Sequence, residues 1–374
     1  MDGQDNPNAF KHQVGPALLA RLGTAIHAVH PAFRARDLEH VAPALASLEL
    51  KDRVRLVRAT LRDLLPAPYS QAVAILVAAS HAEDLRSFDF WPLTDFVEAY
   101  GLEDFEASMD ALHWLTQRFT GEFAIRPFLR EESERTFSRL RRWTRDPNAH
   151  VRRLVSEGTR PRLPWGLRVP ALIADPEAGL ALLERLKHDP EEYVRKSVAN
   201  HLNDISKDHP ARVIEVLTAW RAAAQGEDSG RVEWITRHAL RTLIKKGDPR
   251  ALAVIGAQGK ARVRATALTL ARRRLAVGDT LEFSVALAST AREPQKVVVD
   301  YRIGFRNARG GTSTRVFKLK TFTLPARGTV TLTKRHSLKP ITTRVYYAGA
   351  HRLDVQVNGR VIAGEDWTLR TQGR

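Results

Sequence analysis

The sequence has no cysteine. This absence excludes a disulfide framework, cysteine-ligated zinc, an iron–sulfur cluster and a thiol nucleophile. Long apolar runs are missing too, since no uninterrupted stretch reaches the roughly 18–20 residues of a membrane span. There is no Gly-rich phosphate loop, no His-Glu-x-x-His and no Gly-x-Ser-x-Gly. Residues 1–11 are polar and lack the apolar core of a secretory signal. We therefore expect a cytoplasmic protein with no metal, cofactor or membrane partner.

Acidic residues are scarce relative to basic ones. The chain of 374 residues has 59 Lys and Arg against 42 Asp and Glu, a net charge of +17. The positive charge is unevenly distributed: the net charge is −5 for residues 1–120, +8 for residues 121–262 and +14 for residues 263–374. Because hydrophobic residues make up 43% of the chain, the basic segments should fold. This distribution favours a polyanionic partner, and the alternative is that extra arginine only aids solubility.

The spacing of apolar residues divides the chain into two predicted domains. Residues 15 to about 262 place apolar residues three and four apart, with Pro and Asp-Pro between the runs, which is typical of stacked helices. Residues 280–370 instead contain runs that alternate with period two. We predict a helical-repeat domain over 1–262 and a β-domain over 263–374.

An internal repeat identifies the type of helical array. The segment that begins at Asp146-Pro147 recurs 43 residues later at Asp189-Pro190, and residues 235–239 form a weaker third copy. This period lies in the range of about 40–47 residues of HEAT-type repeats. Each Asp-Pro is expected to start a helix, with the valines that follow facing the next repeat. Basic residues recur beside these valines, either as a ladder that tracks a phosphate backbone or as a solvated outer face.

The β-domain is predicted to be an immunoglobulin-like sandwich of six or seven strands. The alternating runs are residues 280–287, 296–303, 316–324, 329–333 and 351–357. Gly278-Asp279, residues 326–328 and Asn358-Gly359 are turn signals, and Asn-Gly is the strongest hairpin signal of the three.

The segment of residues 152–165 contains the first candidates for chemistry. Glu157 precedes Gly158, a predicted C′ glycine, and therefore sits at the end of a helix where the dipole disfavours a carboxylate. Asp204 lies at the corresponding end one repeat later. The two acids are either functional or paired with nearby arginines.

Aromatic residues accompany these acids. Pro161, Pro164 and Pro170 surround Trp165, so its loop should be stiff and extended. Trp165 either stacks on a sugar or base or plugs the space between repeats. One repeat earlier, Trp114 lies on an apolar helix face, which favours a core position.

Three segments resemble the AlkC branch of the bacterial AlkC/AlkD DNA glycosylases. They are Thr-Gly-Glu-Phe-Ala-Ile-Arg-Pro-Phe (120–128), the stretch that ends Ser-Glu-Gly-Thr-Arg-Pro-Arg-Leu-Pro-Trp (150–165), and the stretch that begins Val-Arg-Lys-Ser-Val-Ala-Asn-His (194–210). The resemblance covers the whole chain, because some AlkC proteins carry an Ig-like domain after the helical repeats. Residues 1–100 resemble the family only in general helical character.

This resemblance implies a glycosylase that removes cationic N3-alkylated bases, chiefly 3-methyladenine and 3-methylcytosine, without full extrusion of the base. It places the catalytic acids on Glu157 and Asp204 with Glu122 nearby, the sugar-contacting aromatic on Trp165 and a DNA-contacting arginine on Arg153. Further DNA-binding candidates are Arg152, Trp114, Arg160, Arg162, Lys196, Lys207, Arg237 and Arg241. The expected partner is double-stranded DNA with alkylated bases, bound by a monomer with no obligate protein partner.

A non-catalytic scaffold is the alternative, because helical repeats frequently serve only as binding surfaces. The predicted proximity of Glu157, Trp165 and Asp204 favours the enzyme. Release of 3-methyladenine from methylated DNA distinguishes the two functions.

Overall fold

The computed structural model describes residues 9–257, 259–341 and 344–371. The helices in these ranges are α1 Pro16–Val29, α2 Ala35–Glu39, α3 Ala42–Leu45, α4 Leu50–Leu64, α5 Tyr69–Ala79, α6 Trp91–Tyr100, α7 Phe105–Leu115, α8 Arg126–Glu131, α9 Ser133–Trp143, α10 Ala149–Gly158, α11 Pro170–Ala174, α12 Glu177–Leu186, α13 Glu192–Ile205, α14 Pro210–Ala223, α15 Glu227–Ala239, α16 Arg241–Lys246 and α17 Pro249–Val254. Short 3-10 helices span Phe10–Gln13, Ser87–Phe90 and Gly101–Glu103. Within the described ranges, every helix is too short or too polar to cross a membrane.

The strands are β1 Val263–Leu270, β2 Arg274–Ala276, β3 Thr280–Ser289, β4 Gln295–Arg306, β5 Thr312–Leu324, β6 Thr329–Ser337, β7 Gly349–Val357 and β8 Arg360–Arg370. They form a three-stranded sheet in the order β1-β3-β6 and a five-stranded sheet in the order β2-β8-β7-β4-β5. The apolar faces of both sheets enclose one core. The predicted fold class, helical repeats followed by an immunoglobulin-like sandwich, is confirmed.

The two copies of the repeat pack side by side, and their valine pairs are buried. Val151 and Val155 on α10 and Val194 and Val198 on α13 are all fully buried, and α10 lies against α13. Since residues four apart share one helix face, each valine pair occupies a buried face of its helix, and its contact with the adjacent repeat stays a prediction.

The Asp-Pro pairs do not start the helices, contrary to the prediction. Asp146 Oδ1 accepts the backbone N–H of Asn148 at 2.8 Å, and Asp189 Oδ1 accepts that of Glu191 at 2.9 Å. Each aspartate therefore stabilises a turn by accepting the N–H of the residue two positions later. The helix begins only after this turn, at Ala149 in the first copy and at Glu192 in the second. In the first copy Asn148 is the N-cap, and its side chain accepts the N–H of His150.

The recurring arginines close these turns. Arg152 Nη1 donates to the carbonyls of Asp146 and Pro147 at 2.8 and 2.9 Å. Arg195 Nη1 donates to Asp189 and to the proline after it at 2.6 and 2.7 Å. Arg152 also forms a two-pronged ion pair with Asp189 of the next copy, with Nε–Oδ2 at 2.6 Å and Nη2–Oδ1 at 3.0 Å. The recurrence of these two arginines therefore has a structural cause inside the protein.

The Asn358-Gly359 hairpin is confirmed. Both residues have positive φ, 48° and 79°, as a two-residue turn between β7 and β8 requires. The turn contacts Gly247, which ends α16 in the left-handed conformation with φ 77°. A Cβ atom on Gly359 would lie 2.2 Å from Gly247 Cα, so only glycine fits there.

The chain forms two compact units, one of Met1–His209 and Gly226–Ile235 and the other of Pro210–Gln225 and Thr236–Arg374. The second unit thus holds α14, α16 and α17 together with the sandwich. Within it, Lys296 Nζ donates to the Ile255 carbonyl at 2.6 Å and Gln356 Nε2 donates to the Lys245 carbonyl at 3.0 Å. Helix gives way to strand close to residue 262, while the domain division at 262/263 stays a prediction.

Candidate active site

Glu157 and Asp204 meet on one guanidinium. Arg160 Nη1 donates to Glu157 Oε1 at 2.6 Å, and Arg160 Nε donates to Asp204 Oδ2 at 2.8 Å. The carboxylates lie at the ends of α10 and α13, which pack side by side. All three residues are buried: the exposed fraction is 6% for Glu157, 2% for Asp204 and 9% for Arg160. The ends of equivalent helices in adjacent repeats therefore bring two acids and one arginine into a single ion-pair network.

Glu122 joins this network through Arg153. Arg153 Nη1 contacts Glu122 Oε2 and donates to Thr120 Oγ1 at 2.7 Å, and its Nη2 lies 3.5 Å from Glu157 Oε1. At the other end Lys207 Nζ lies 2.8 Å from Asp204 Oδ1. The result is a row of alternating charge: Glu122, Arg153, Glu157, Arg160, Asp204 and Lys207.

Glu157 is held in its ionised form. Burial raises the pKa of its carboxyl, but the charges of Arg153 and Arg160 and hydrogen bonds from Ser197 and Arg160 outweigh burial and leave the pKa below the ordinary value of 4.5. The hydrogen bond from Ser197 Oγ to Glu157 Oε2 is 2.6 Å long. The carboxylate is therefore a fixed negative charge at neutral pH and can stabilise a cation that forms beside it.

His201 lies behind these acids and is uncharged at neutral pH. Burial lowers the pKa of its imidazole to about 4, although the charge of Asp204 acts in the opposite direction. Its Nδ1 is 3.0 Å from the Ser156 carbonyl. In the neutral ring Nδ1–H donates to this carbonyl, and the side chain is no general acid at neutral pH. Sequence reasoning missed both His201 and Ser197, because neither belongs to a motif that identifies a role.

Gly158 is not a C′ glycine, contrary to the prediction. It is the last residue of α10, and Thr159 is the C-cap. Its Cα faces Ile125, and an added Cβ would lie 2.5 Å from Ile125 Cγ2. Glycine is required there by close packing, which lets the end of α10 approach the segment that carries Glu122.

Trp165 points into solvent and does not plug the space between repeats. Its exposed fraction is 69% and its φ is 63°, a left-handed conformation that is rare for a bulky residue. A side chain in this conformation costs about 1–3 kcal/mol and persists only where the surroundings impose it. The exposed ring is thus available to a ligand.

Two cations hold the backbone of this loop. The Arg126 side chain is fully buried and donates to the carbonyls of Leu167 at 2.5 Å, Gly158 at 2.7 Å and Arg160 at 2.8 Å. Lys51 on α4 donates to the Trp165 carbonyl at 2.7 Å. Sequence reasoning assigned neither residue a role. Arg126 belongs to one of the three family-like segments, whereas Lys51 is 114 positions from Trp165 and has no local signal.

The remaining candidates are dispersed. Trp114 is half-buried, donates from Nε1 to Ser80 Oγ at 2.8 Å and stacks on His81 at a ring distance of 4.0 Å. Arg162 is paired with Asp208 at 2.6 and 2.9 Å. Lys196 is exposed. Arg237 and Arg241 belong to the second compact unit, where both line one cavity. Their DNA-binding roles stay predictions.

Comparisons with known proteins agree with this architecture. The family model "DNA alkylation repair enzyme" matches residues 121–243, and the model of the C-terminal Ig-like domain of protein YhaZ matches residues 264–371. YhaZ from Bacillus subtilis (strain 168) is 43% identical over 315 residues, which cover 84% of this chain and 85% of YhaZ. The alkylpurine DNA glycosylase AlkC from Pseudomonas fluorescens, solved with DNA that contains an abasic site analogue, is 39% identical with a TM-score of 0.89, over 97% of this chain and 99% of AlkC.

A HEAT-like repeat array with buried paired acids, followed by an Ig-like domain, defines the architecture of a DNA alkylation repair enzyme. The chain belongs to the AlkC family of DNA glycosylases.

Proposed function

We propose that the protein is a DNA glycosylase that hydrolyses the N-glycosidic bond of cationic N3-alkylated bases, 3-methyladenine and 3-methylcytosine, in double-stranded DNA. The observation that carries the proposal is the pair of buried carboxylates, Glu157 and Asp204, fixed on Arg160. Membership of the AlkC family supports it, since the P. fluorescens relative is a glycosylase solved with DNA that contains an abasic site analogue.

The chemistry fits the residues. An N3-alkylated base is already positively charged and leaves without a general acid, so a neutral His201 is no obstacle. Its departure gives the deoxyribose oxocarbenium-like character. Fixed carboxylates stabilise this cation and orient the attacking water. The exposed face of Trp165 adds a cation–π attraction. Following the resemblance to the AlkC family, we infer that the lesion is reached without full extrusion of the base.

The test is an excision assay on methylated duplex DNA, with released bases separated by chromatography and abasic sites counted. We expect wild-type protein to release 3-methyladenine and 3-methylcytosine. Glu157→Gln and Asp204→Asn should keep DNA affinity and lose at least about a hundredfold in single-turnover rate, the usual scale for losing a group that stabilises transition-state charge. Glu134→Gln, which alters an exposed acid on α9, is the matched control.

Unchanged excision in both active-site variants would overturn the assignment of the acids. Absence of base release by wild-type protein that still binds DNA would favour the scaffold. A monomer in the cytoplasm remains our expectation, and light scattering of the free and DNA-bound protein tests the oligomeric part.

A further inference from the structure

The second compact unit contains a cavity of about 130 Å³ beside its short helices. Helix-side walls come from the α15–α17 region, and strand-side walls come from β4 and β5. The lining residues include Arg237, Arg241, Lys245, Lys296, Lys318 and Asp300. This volume accommodates a phosphate group and several waters.

Positive charge dominates the lining. Five cationic side chains face one carboxylate, Asp300, which is 2% exposed. Asp300 receives a hydrogen bond from Gln356 Nε2 at 3.3 Å. Burial raises the pKa of Asp300, against the hydrogen bond from Gln356 and the charges of Lys245 and Lys318. Cations gathered in a partly enclosed space raise the local concentration of anions.

A β-bulge directs two of the lining residues into the cavity. Val298 pairs with Thr321 and Asp300 pairs with Lys318, so β5 has one more residue than β4 between these pairs. In a regular strand, Lys318 and Thr321 are three positions apart and face opposite sides of the sheet. The extra residue places both on the side where Val298 and Asp300 line the cavity. Bulges that redirect a side chain in this way are common at functional sites.

We propose that this cavity is a phosphate-binding site. An arginine guanidinium can donate two parallel hydrogen bonds to the oxygens of a phosphate, and a lysine ammonium adds a compact positive charge with further donors. The apolar wall of Ile244, Ile255 and Val298 has no aromatic ring to stack on a base, which restricts recognition to the phosphate itself. The phosphate is either a phosphodiester of DNA, which rests on the proposed function, or free inorganic phosphate.

The first arm of the test measures inorganic phosphate binding to the full chain by titration calorimetry. Lys318→Ala should weaken binding at least about fivefold, the scale of one charge-assisted hydrogen bond. Asp300→Asn should tighten binding, because it removes the carboxylate that repels the anion. Lys320→Ala is the matched control, since Lys320 lies on the same strand but does not line the cavity. Opposite effects at Lys318 and Asp300 cannot both come from misfolding.

The second arm measures the salt dependence of affinity for undamaged duplex DNA. If a phosphodiester occupies the cavity, Lys318→Ala should reduce the slope of log Kd against log salt by about one, and Lys320→Ala should not. Phosphate binding with an unchanged slope identifies free phosphate as the ligand, and a reduced slope identifies DNA. No phosphate binding together with equal slopes in the two lysine variants overturns the proposal. Neither arm uses base excision, so failure of the glycosylase assignment is recorded separately.

Discussion

Arg160 neutralises two carboxylates that have almost no access to water. Because Glu157 and Asp204 are both buried against it, removal of the guanidinium takes from each carboxylate a buried partner and leaves only Arg153 and Lys207 as their cations. This explains why the sequence carries an arginine three residues after Glu157, a position that sequence reasoning assigned to DNA binding. The internal pairing gives this arginine a structural role of its own, and its DNA-binding role stays a prediction.

We predict that Arg160→Met lowers the free energy of unfolding by about 3–5 kcal/mol, the usual cost of breaking a buried ion pair. Arg162→Met is the matched control, two residues away. Its pair with Asp208 is partly exposed, 34% and 25%, so the loss should stay below about 1 kcal/mol. Urea denaturation measures both, and equal losses would contradict the buried network.

The pH dependence of excision should follow Glu157. Its pKa is lowered, so the ionised form, and the stability that its ion pairs contribute, is fully present above 4.5 and is lost only as pH falls through the lowered value. Arg153→Gln removes one of the charges that lower this pKa, and the acidic limb should move to higher pH. Single-turnover rates at saturating DNA from about pH 4 to about pH 8 measure the shift. An acidic limb at the same pH in both proteins would argue against this role of Arg153.

At the residue level, types and spacing singled out the two acids but left their role open, and the resemblance to AlkC supplied the prediction that they are catalytic. Glu157 and Asp204 stand at equivalent helix ends, so the repeat predicts their proximity. Ser197 and His201 contact the same region through side chains that no periodicity marks. The left-handed φ of Trp165 arises from the loop as a whole, and composition carries no signal for it.

Among the elements, α10 depends on one close contact. Gly158 lets the end of this helix approach Ile125 so closely that a Cβ atom at position 158 would lie 2.5 Å from Ile125 Cγ2. In contrast, Gly230 lies inside α15 with no atom within 4 Å of an added Cβ. The two helical glycines are therefore a matched pair that separates packing from helix propensity.

We predict that Gly158→Ala destabilises the protein by about 1–3 kcal/mol through overpacking, and that it reduces excision because Glu157 is the adjacent residue. Gly230→Ala should instead stabilise by about 0.5–1 kcal/mol. Thermal unfolding compares them, and the double variant Gly158→Ala with Ile125→Leu, which removes the clashing Cγ2 methyl, should recover part of the loss. A neutral Gly158→Ala would contradict the close contact.

The repeats were predictable because burial imposes a period on the sequence. Val151 and Val155 recur as Val194 and Val198, and all four are buried as expected. The helix starts were not, since an aspartate that closes a turn and an aspartate that caps a helix look alike in sequence. The structure shows that Asp146 accepts a hydrogen bond from the backbone N–H of Asn148, before the helix begins.

For the whole molecule, the segmental charge and the change of period predicted the helical array and the basic sandwich. They did not predict that α14, α16 and α17 form one compact unit with the sandwich. That association depends on specific contacts, such as that of Gly359 with Gly247. Single contacts of this kind produce no periodic pattern in the sequence.

We predict that Gly359→Ala destabilises the second unit by several kcal/mol. Backbone strain at φ 79° contributes about 1 kcal/mol, and the rest comes from the clash with Gly247. Gly310→Ala is the matched control, with φ 80° and no neighbour within 4 Å, so it should show the strain alone. Calorimetry gives the difference, and limited proteolysis should cut near residue 259 only in Gly359→Ala. Equal losses would contradict the docking of the hairpin.

The make-up of the second unit also limits how this protein can be recombined. A chimera that transfers only residues 263–374 to another repair enzyme would separate Lys296 and Gln356 from the carbonyls of Ile255 and Lys245. The grafted sandwich would then present an uncovered face and a hairpin tip with nothing to dock on. A transferable module has to include the helical part of the unit, residues 210–225 and 236–262. The natural seam for fusion therefore lies inside the helical sequence rather than at its end.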